Sequence, residues 1–302
     1  MSFLPTGHDM KHGLSEEDRR RYARHLALPS VGEEGQIRLL NSSVLVVGAG
    51  GLGSPAMMYL AAAGVGRIGI MDNDNVEESN LQRQIIHSTS SIGEAKAYSA
   101  AERIGSLNPG IEVTPIVDRL DESNAKSVIE DYDIVIDGTD NFASRYLIGD
   151  VCEILGKTWV FGSIHRFEGQ VSTFNFENGP NYRDLFPESP PPELAPNCSE
   201  AGVLGVLPGI VGTIQATEAI KVILGIGDVL SGKLLTIDSL TMITRVLSFG
   251  SDSGRSRGSG IGKEGKSVKS VSPVEFVRLK NEGWNPFLLY VRSESEESIT
   301  SI

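Results

Sequence analysis

Short runs of β-branched and aliphatic residues alternate along most of this chain with longer stretches of helical periodicity. Residues 44–47 are wholly apolar and end at a glycine cluster, which predicts a short buried strand. A helical stretch at 54–63 follows, and then a second apolar run at 67–71 ending at Asp72. Strand, glycine turn, helix and strand in that order make a parallel βαβ unit. The alternation continues with helices at 94–107, 125–130 and 144–155, interleaved with strands at 112–117, 134–136, 159–161 and 170–176. The pattern predicts an α/β, Rossmann-like fold: a mostly parallel sheet with helices on both faces and an antiparallel strand extension formed by the later strands.

Ser15 followed three residues later by Asp18 predicts a capping box, opening a helix that runs to about Leu28, where Pro29 stops it. Residues 207–224 are apolar on nearly every face, the mark of a buried helix, and strands are predicted at 234–237 and 244–249. The stretch 187–196 is proline-rich, hence stiff and extended. These limits divide the chain into a loose tail at 1–14, one domain at 15–249, a Ser-, Gly- and Lys-rich linker at 250–270 and a short segment at 271–302. That last segment regains a helix–strand pattern but is too short to bury a core of its own.

Composition narrows the function. With 302 residues, 40% hydrophobic and 22% charged, the chain matches ordinary soluble domains. Its formal net charge of −12 opposes phosphate backbones, so nucleic acid is not the expected partner. The apolar stretch 201–227 is interrupted by Pro208, Gln215, Glu218 and Lys221, and residues 1–13 hold no secretory apolar run. A cytoplasmic protein with no membrane partner is therefore expected. Only Cys152 and Cys198 occur, which excludes a disulfide framework and a four-cysteine metal site. Cys152 falls within an apolar helical pattern and reads as core, whereas Cys198 sits in a polar stretch where a thiol is accessible.

The glycine cluster carries chemistry. Gly48, Gly50 and Gly53 have the G-x-G-x-x-G spacing, directly after a strand and before a helix. Glycine there lets the backbone turn tightly and approach a phosphate, while the helix points free N–H groups at the anion. Asp72 lies 22 residues beyond Gly50, near the spacing at which an acid binds a ribose hydroxyl. This constellation announces a nucleotide without saying which. Beyond it, Arg83 in a polar loop and Lys96 at a helix start are cations within reach of a phosphate chain. Asp140, at the carboxyl end of a strand, is placed to hold Mg²⁺.

Taken together, Arg21-Tyr22-x-Arg24, Gly48-x-Gly50-Gly51-Leu52-Gly53, Ser79-Asn80-Leu81-Gln82-Arg83-Gln84, Gly93-x-x-Lys96, Thr139-Asp140-Asn141-Phe142-x-x-Arg145-Tyr146 and Cys198-x-Glu200-Ala201-Gly202-Val203 resemble the MoeB/ThiF family over about residues 15–249. These are adenylyltransferases related to ubiquitin-activating enzymes, and the similarity is greatest to the adenylyltransferase half of molybdopterin synthase sulfurylases. The resemblance implies a homodimer that uses ATP and Mg²⁺ to adenylate the terminal Gly-Gly carboxylate of a ubiquitin-fold sulfur carrier. It implies nucleotide contacts at Gly51, Asp72, Asp74, Ser79, Asn80, Leu81, Gln82 and Asn141, phosphate contacts at Asn80, Arg83 and Lys96, and Mg²⁺ on Asp140. It also implies that Arg24 reaches across a dimer to the triphosphate, and that Cys198 is either the acceptor of the activated carboxylate or a structural residue.

The chain departs from this family twice. Where relatives carry paired Cys-x-x-Cys zinc ligands, it reads Asn181-Tyr182-Arg183-Asp184 and then has no cysteine after Phe249, so no zinc is expected. Residues 271–292 resemble the start of a rhodanese domain, but the chain shown holds no persulfide cysteine there, so either a separate sulfurtransferase or cysteine desulfurase supplies sulfur or the fragment is vestigial. Two rival readings stay open: a silent scaffold that binds a ubiquitin-like protein, and a dinucleotide-dependent oxidoreductase. The second lacks an acid–base pair, because His25, His87 and His165 read as loop or interface residues.

Overall fold

The computed structural model describes residues 11–189 and 202–250. The predicted linker beyond Gly250, the rhodanese-like segment, Cys198 and most of the proline-rich stretch lie outside the described residues.

The predicted βαβ unit is present as β1 (Ser43–Val47), α4 (Gly53–Ala63) and β2 (Arg67–Met71). Three short helices precede it: α1 (Glu16–Arg21), α2 (Ala23–Leu26) and α3 (Gly32–Leu40). The capping box at Ser15 and Asp18 forms as expected. The single helix expected to run to Leu28 does not. It breaks at Tyr22 (φ −99°, ψ 17°), whose buried ring packs on Gly64 and whose hydroxyl accepts from Asn108 Nδ2 at 2.9 Å. Burying that ring is worth more than one unbroken helical turn. Helix α3 has no counterpart in the sequence reading. Lys11, assigned there to the tail, exchanges two hydrogen bonds with the Asn41 side chain.

The chain continues through α5 (Lys96–Leu107), β3 (Glu112–Ile116), α6 (Ala125–Glu130), β4 (Ile134–Asp137), α7 (Phe142–Leu155), β5 (Thr158–His165), β6 (Glu168–Phe174), α8 (Tyr182–Leu185), α9 (Val206–Leu224), β7 (Lys233–Asp238) and β8 (Ile243–Ser248). Eight strands form one sheet in the order β3-β2-β1-β4-β5-β6-β7-β8. The first five are parallel and the last three are added antiparallel, so the architecture is the Rossmann-like α/β fold with its antiparallel extension.

Strand periodicity splits the core in two. Val44 and Val46, with Ile134, Ile136 and Val160, pack on one face against α4 and α9; Leu45, Val47, Val135, Trp159 and Phe161 pack on the other with residues of α6 and α7. Both faces of each central strand are covered, which is why these strands read as continuous apolar runs. Helix α9 is long and apolar enough to cross a membrane by composition alone, with a mean hydropathy of 1.3, which the sequence reading did not find. Here it packs on α4 and the sheet, and Gln215 and Glu218 on it are buried and hydrogen-bonded.

The segment at 181–184, where the family resemblance leads one to expect cysteines, is held by hydrogen bonds, an ion pair and packing. Asn181 and Asp184 cap α8 reciprocally, and Arg183 makes a two-pronged ion pair with Asp150 at 2.6 and 2.7 Å. Tyr182 and Phe186 join Trp159, Phe161 and Phe174 in an aromatic cluster that also holds Phe249.

Candidate active site

The strand order reverses between β1 and β4, and ligands of open α/β sheets bind in the crevice beyond the strand ends at that point. Two loops leave there side by side, Gly48–Leu52 from β1 and Gly138–Asn141 from β4. They meet main chain to main chain: a Cβ on Gly48 would stand 2.7 Å from the Gly138 oxygen, and one on Gly138 2.5 Å from the Gly48 oxygen. Gly48 also has a φ of +99°. Packing therefore requires glycine at both, and conformation requires it at Gly48 as well. Gly53 is equally constrained, because its Cβ would collide with the Gly48 carbonyl. Gly50 differs. It lines the crevice, and a Cβ there would meet nothing nearer than 3.7 Å, so its bareness serves the space above it.

Around these loops lies a cavity of about 330 Å³, within the range of ligand pockets. Of the residues singled out from sequence, Gly48, Gly50, Gly51, Asp72, Asp74, Arg83, Lys96, Asp140 and Asn141 line it. Ser79, Asn80, Leu81, Gln82 and Gly53 do not. Asn80 is buried as the closing residue of a capping box with Glu77, and Gln82 is exposed. Arg24 is an exposed residue of α2 outside the cavity.

Asp72, at the end of β2, accepts from Ala49 N–H at Oδ2 and from Asp74 N–H at Oδ1, both at 2.8 Å. The acid thereby fixes the glycine turn while keeping lone pairs for a ligand hydroxyl. Burial pushes its pKa up; the Asp74 N–H, the charge of Lys96 and the Ala49 N–H pull the other way. Lys96 begins α5, is 6% exposed, and is aimed by a 2.9 Å ion pair with the exposed carboxylate of Asp74. The Arg83 stem lies over Gly51, and its guanidinium donates to Ser79 O at 3.2 Å.

Beneath the β4 loop sits a buried ion pair that the sequence did not reveal. Asp137 is fully buried; its Oδ1 accepts from the Thr139 N–H and hydroxyl, and its Oδ2 faces Arg145 Nε at 3.7 Å. Arg145 Nη2 donates to Thr139 O, and Gln215 Nε2 to Asp137 O. Burial raises the Asp137 pKa to about 6 against the opposing charge of Arg145. The loop carrying Asp140 is thus tied at three points. Asp140 itself is exposed and makes no hydrogen bond or ion pair with the described residues. His87, read from sequence as a loop or interface residue, lies in a loop and is buried behind the glycine turn. Gln84, Arg145 and Val203, which stand in the quoted motifs, also line the cavity, as do Asp118, Arg119, Gly138 and Ser144, which only proximity in the fold gathers.

Fold and cavity define a doubly wound α/β protein with a polar, glycine-cornered ligand pocket at its switch point. The pocket's residues fall within 22–255, the span that matches the ThiF family, to which this chain belongs. It is similar to the probable adenylyltransferase/sulfurtransferase MoeZ of Mycobacterium tuberculosis, 51% identical over 254 residues that make up 82% of this chain and 64% of the relative. It is also similar to the sulfur carrier protein adenylyltransferase of Thermus thermophilus, 50% identical over 238 residues covering 77% of this chain and 88% of the relative. The chain spans less than two thirds of the length of MoeZ. Among solved structures, Escherichia coli MccB shares the fold, with a TM-score of 0.70 at 19% identity over 85% of this chain and 76% of that one.

Proposed function

We propose that this chain adenylates the C-terminal Gly-Gly carboxylate of a ubiquitin-fold sulfur-carrier protein, using ATP and releasing pyrophosphate. One observation carries the reading: in a ThiF-family chain, a single cavity brings together a bare glycine turn, the acid Asp72, the cations Arg83 and Lys96 and the unpaired carboxylate of Asp140. Relatives at about 50% identity carry names of adenylyltransferases, one of them acting on a sulfur carrier protein.

The chemistry joins two anions. A carboxylate oxygen attacks the α-phosphorus, the bond from that phosphorus to the β-bridging oxygen breaks, and the electron pair leaves with pyrophosphate. No proton need move, so the protein's task is to position the reactants and offset charge. The Gly50–Gly51 turn at the head of α4 receives phosphate oxygens, Asp72 the ribose hydroxyls, and Arg83 and Lys96 the growing charge on the leaving group. Asp140 suits Mg²⁺, which is held by one or two carboxylates plus phosphates and keeps several waters. When bound, that ion supplies charge neutralisation between phosphate groups.

Partners belong to the same proposal: a Gly-Gly-ended carrier of the molybdopterin, thiamine or tRNA-thiolation type, a separate sulfurtransferase or cysteine desulfurase, and a second copy of the chain that places Arg24 at the triphosphate. Cys198 is the proposed acceptor of the activated carboxylate. The test is exchange of labelled pyrophosphate into ATP with a panel of carriers. Exchange that depends on an intact Gly-Gly terminus is expected; no exchange with any carrier, or a melting shift with NAD in place of ATP, overturns the reading.

A further inference from the structure

Gln84 stands directly after Arg83 and was quoted above only as part of a motif. Its main chain is fully used: the N–H donates to Asn80 O at 2.9 Å and the carbonyl accepts from His87 N–H at 3.1 Å. Its side chain is 5% exposed and lines the cavity. Neither end of the carboxamide bonds to a described residue. Oε1 is sealed from solvent without a partner, and Nε2 lies 3.7 Å from where a Cβ on Gly50 would stand. Nε2 is not sealed off in the same way, so it opens onto the cavity.

An amide buried to this degree with no partner is destabilising, and native proteins keep few of them. The neighbours define what would satisfy its open end, Nε2; the sealed Oε1 is not the end a cavity ligand reaches. The glycine turn, Arg83 and Lys96 line this cavity together with the carboxylates of Asp72, Asp74, Asp118 and Asp140, and its bare turn and cations suit an anion. A carboxamide serves an anion through its N–H₂ end, which is the end facing the cavity.

We propose that Gln84 is a ligand-binding residue whose Nε2 donates to a phosphate oxygen of the nucleotide lying on the Gly50–Gly51 turn. This rests on the reading of the cavity as an ATP site. It adds to the site a neutral donor that strengthens phosphate binding without adding charge, beside two cations that already carry charge.

Gln84→Met tests it, because methionine has nearly the same shape and removes both polar ends. Two quantities are measured without any carrier protein: the melting temperature of the ligand-free chain, and its affinity for ATP–Mg²⁺ by calorimetry. The proposal expects an unchanged or higher melting temperature together with an ATP affinity lower by about tenfold or more. Equal ATP affinity in variant and wild type overturns it, as does a ligand-free variant that melts several degrees lower, since the amide would then serve the fold. A wild-type chain that binds no ATP is a different outcome and removes the reading on which the proposal rests.

Discussion

His87 Nε2 and the Ala49 carbonyl oxygen are hydrogen-bonded at 2.9 Å, and His87 Nδ1 lies 2.9 Å from Ser99 Oγ. A carbonyl only accepts, so the proton is on Nε2, and neutral Nδ1 accepts from the serine hydroxyl. The imidazole therefore ties the glycine turn to α5, the helix that begins with Lys96. Burial lowers its pKa below the ordinary 6.5. The unfolded chain then binds the proton first. The stabilisation is complete above pH 6.5 and is lost as pH falls through the folded-state value. His87→Leu leaves the Ala49 oxygen unpaired and should cost about 1–3 kcal/mol at neutral pH, read from urea denaturation. The difference between wild type and variant should shrink on acidification below pH 6.

Asp137 behaves in the opposite sense. Its folded-state pKa of about 6 lies above the ordinary 3.8, so its contribution is complete below 3.8 and lost as pH rises through 6. Arg145→Met removes the counter-charge from a fully buried carboxylate and should cost about 3–5 kcal/mol at pH 7.5. The penalty should be smaller at pH 5, where the carboxyl is protonated; equal penalties at both values would rule out the ion-pair account.

The glycines separate into two groups by experiment. Gly138→Ala drives a methyl group into the Gly48 carbonyl and should destabilise by about 3 kcal/mol. Gly50→Ala has room within the protein and should change stability by less than about 0.5 kcal/mol. Its effect should appear in weakened nucleotide binding, measured by calorimetry.

Asp140→Ala should leave the melting temperature within a degree or two, because that carboxylate is exposed and unpaired. Pyrophosphate exchange should fall by at least a hundredfold, on the order expected for loss of a charge-stabilising group. Near-normal exchange would remove Asp140 from the site.

Around α8, packing and hydrogen bonds hold the segment. Tyr182 is 2% exposed within the aromatic cluster, and Tyr182→Ala should cost about 3–5 kcal/mol. Incubation with a chelator should leave the melting temperature unchanged, and a drop would point to a metal.

What could be read from the sequence was local. The β1 turn, α4, β2 and Asp72 follow from residues adjacent in the chain, and they were placed to within a residue or two. The ion pair of Asp137 and Arg145 is not legible although Arg145 stands in a quoted motif, since nothing in the spacing says that α7 folds an arginine back beneath β4. The burial and bonding of the loop residue His87 are equally invisible in the sequence, because its partners, Ala49 and Ser99, lie far from it along the chain. Tyr22 broke a helix whose local signals were sound, because its ring is held by Gly64 and Asn108.

Helix α9 is synthesised after all five parallel strands and the four helices that connect them, yet it covers α4 and reaches β4 through Gln215. The early βαβ unit therefore has no means of closing its own apolar face. Long-range closure of this kind slows folding and leaves nascent surface exposed. A chain released before Leu224 would be a sticky fragment, and chaperone demand should peak while that stretch is still inside the ribosome.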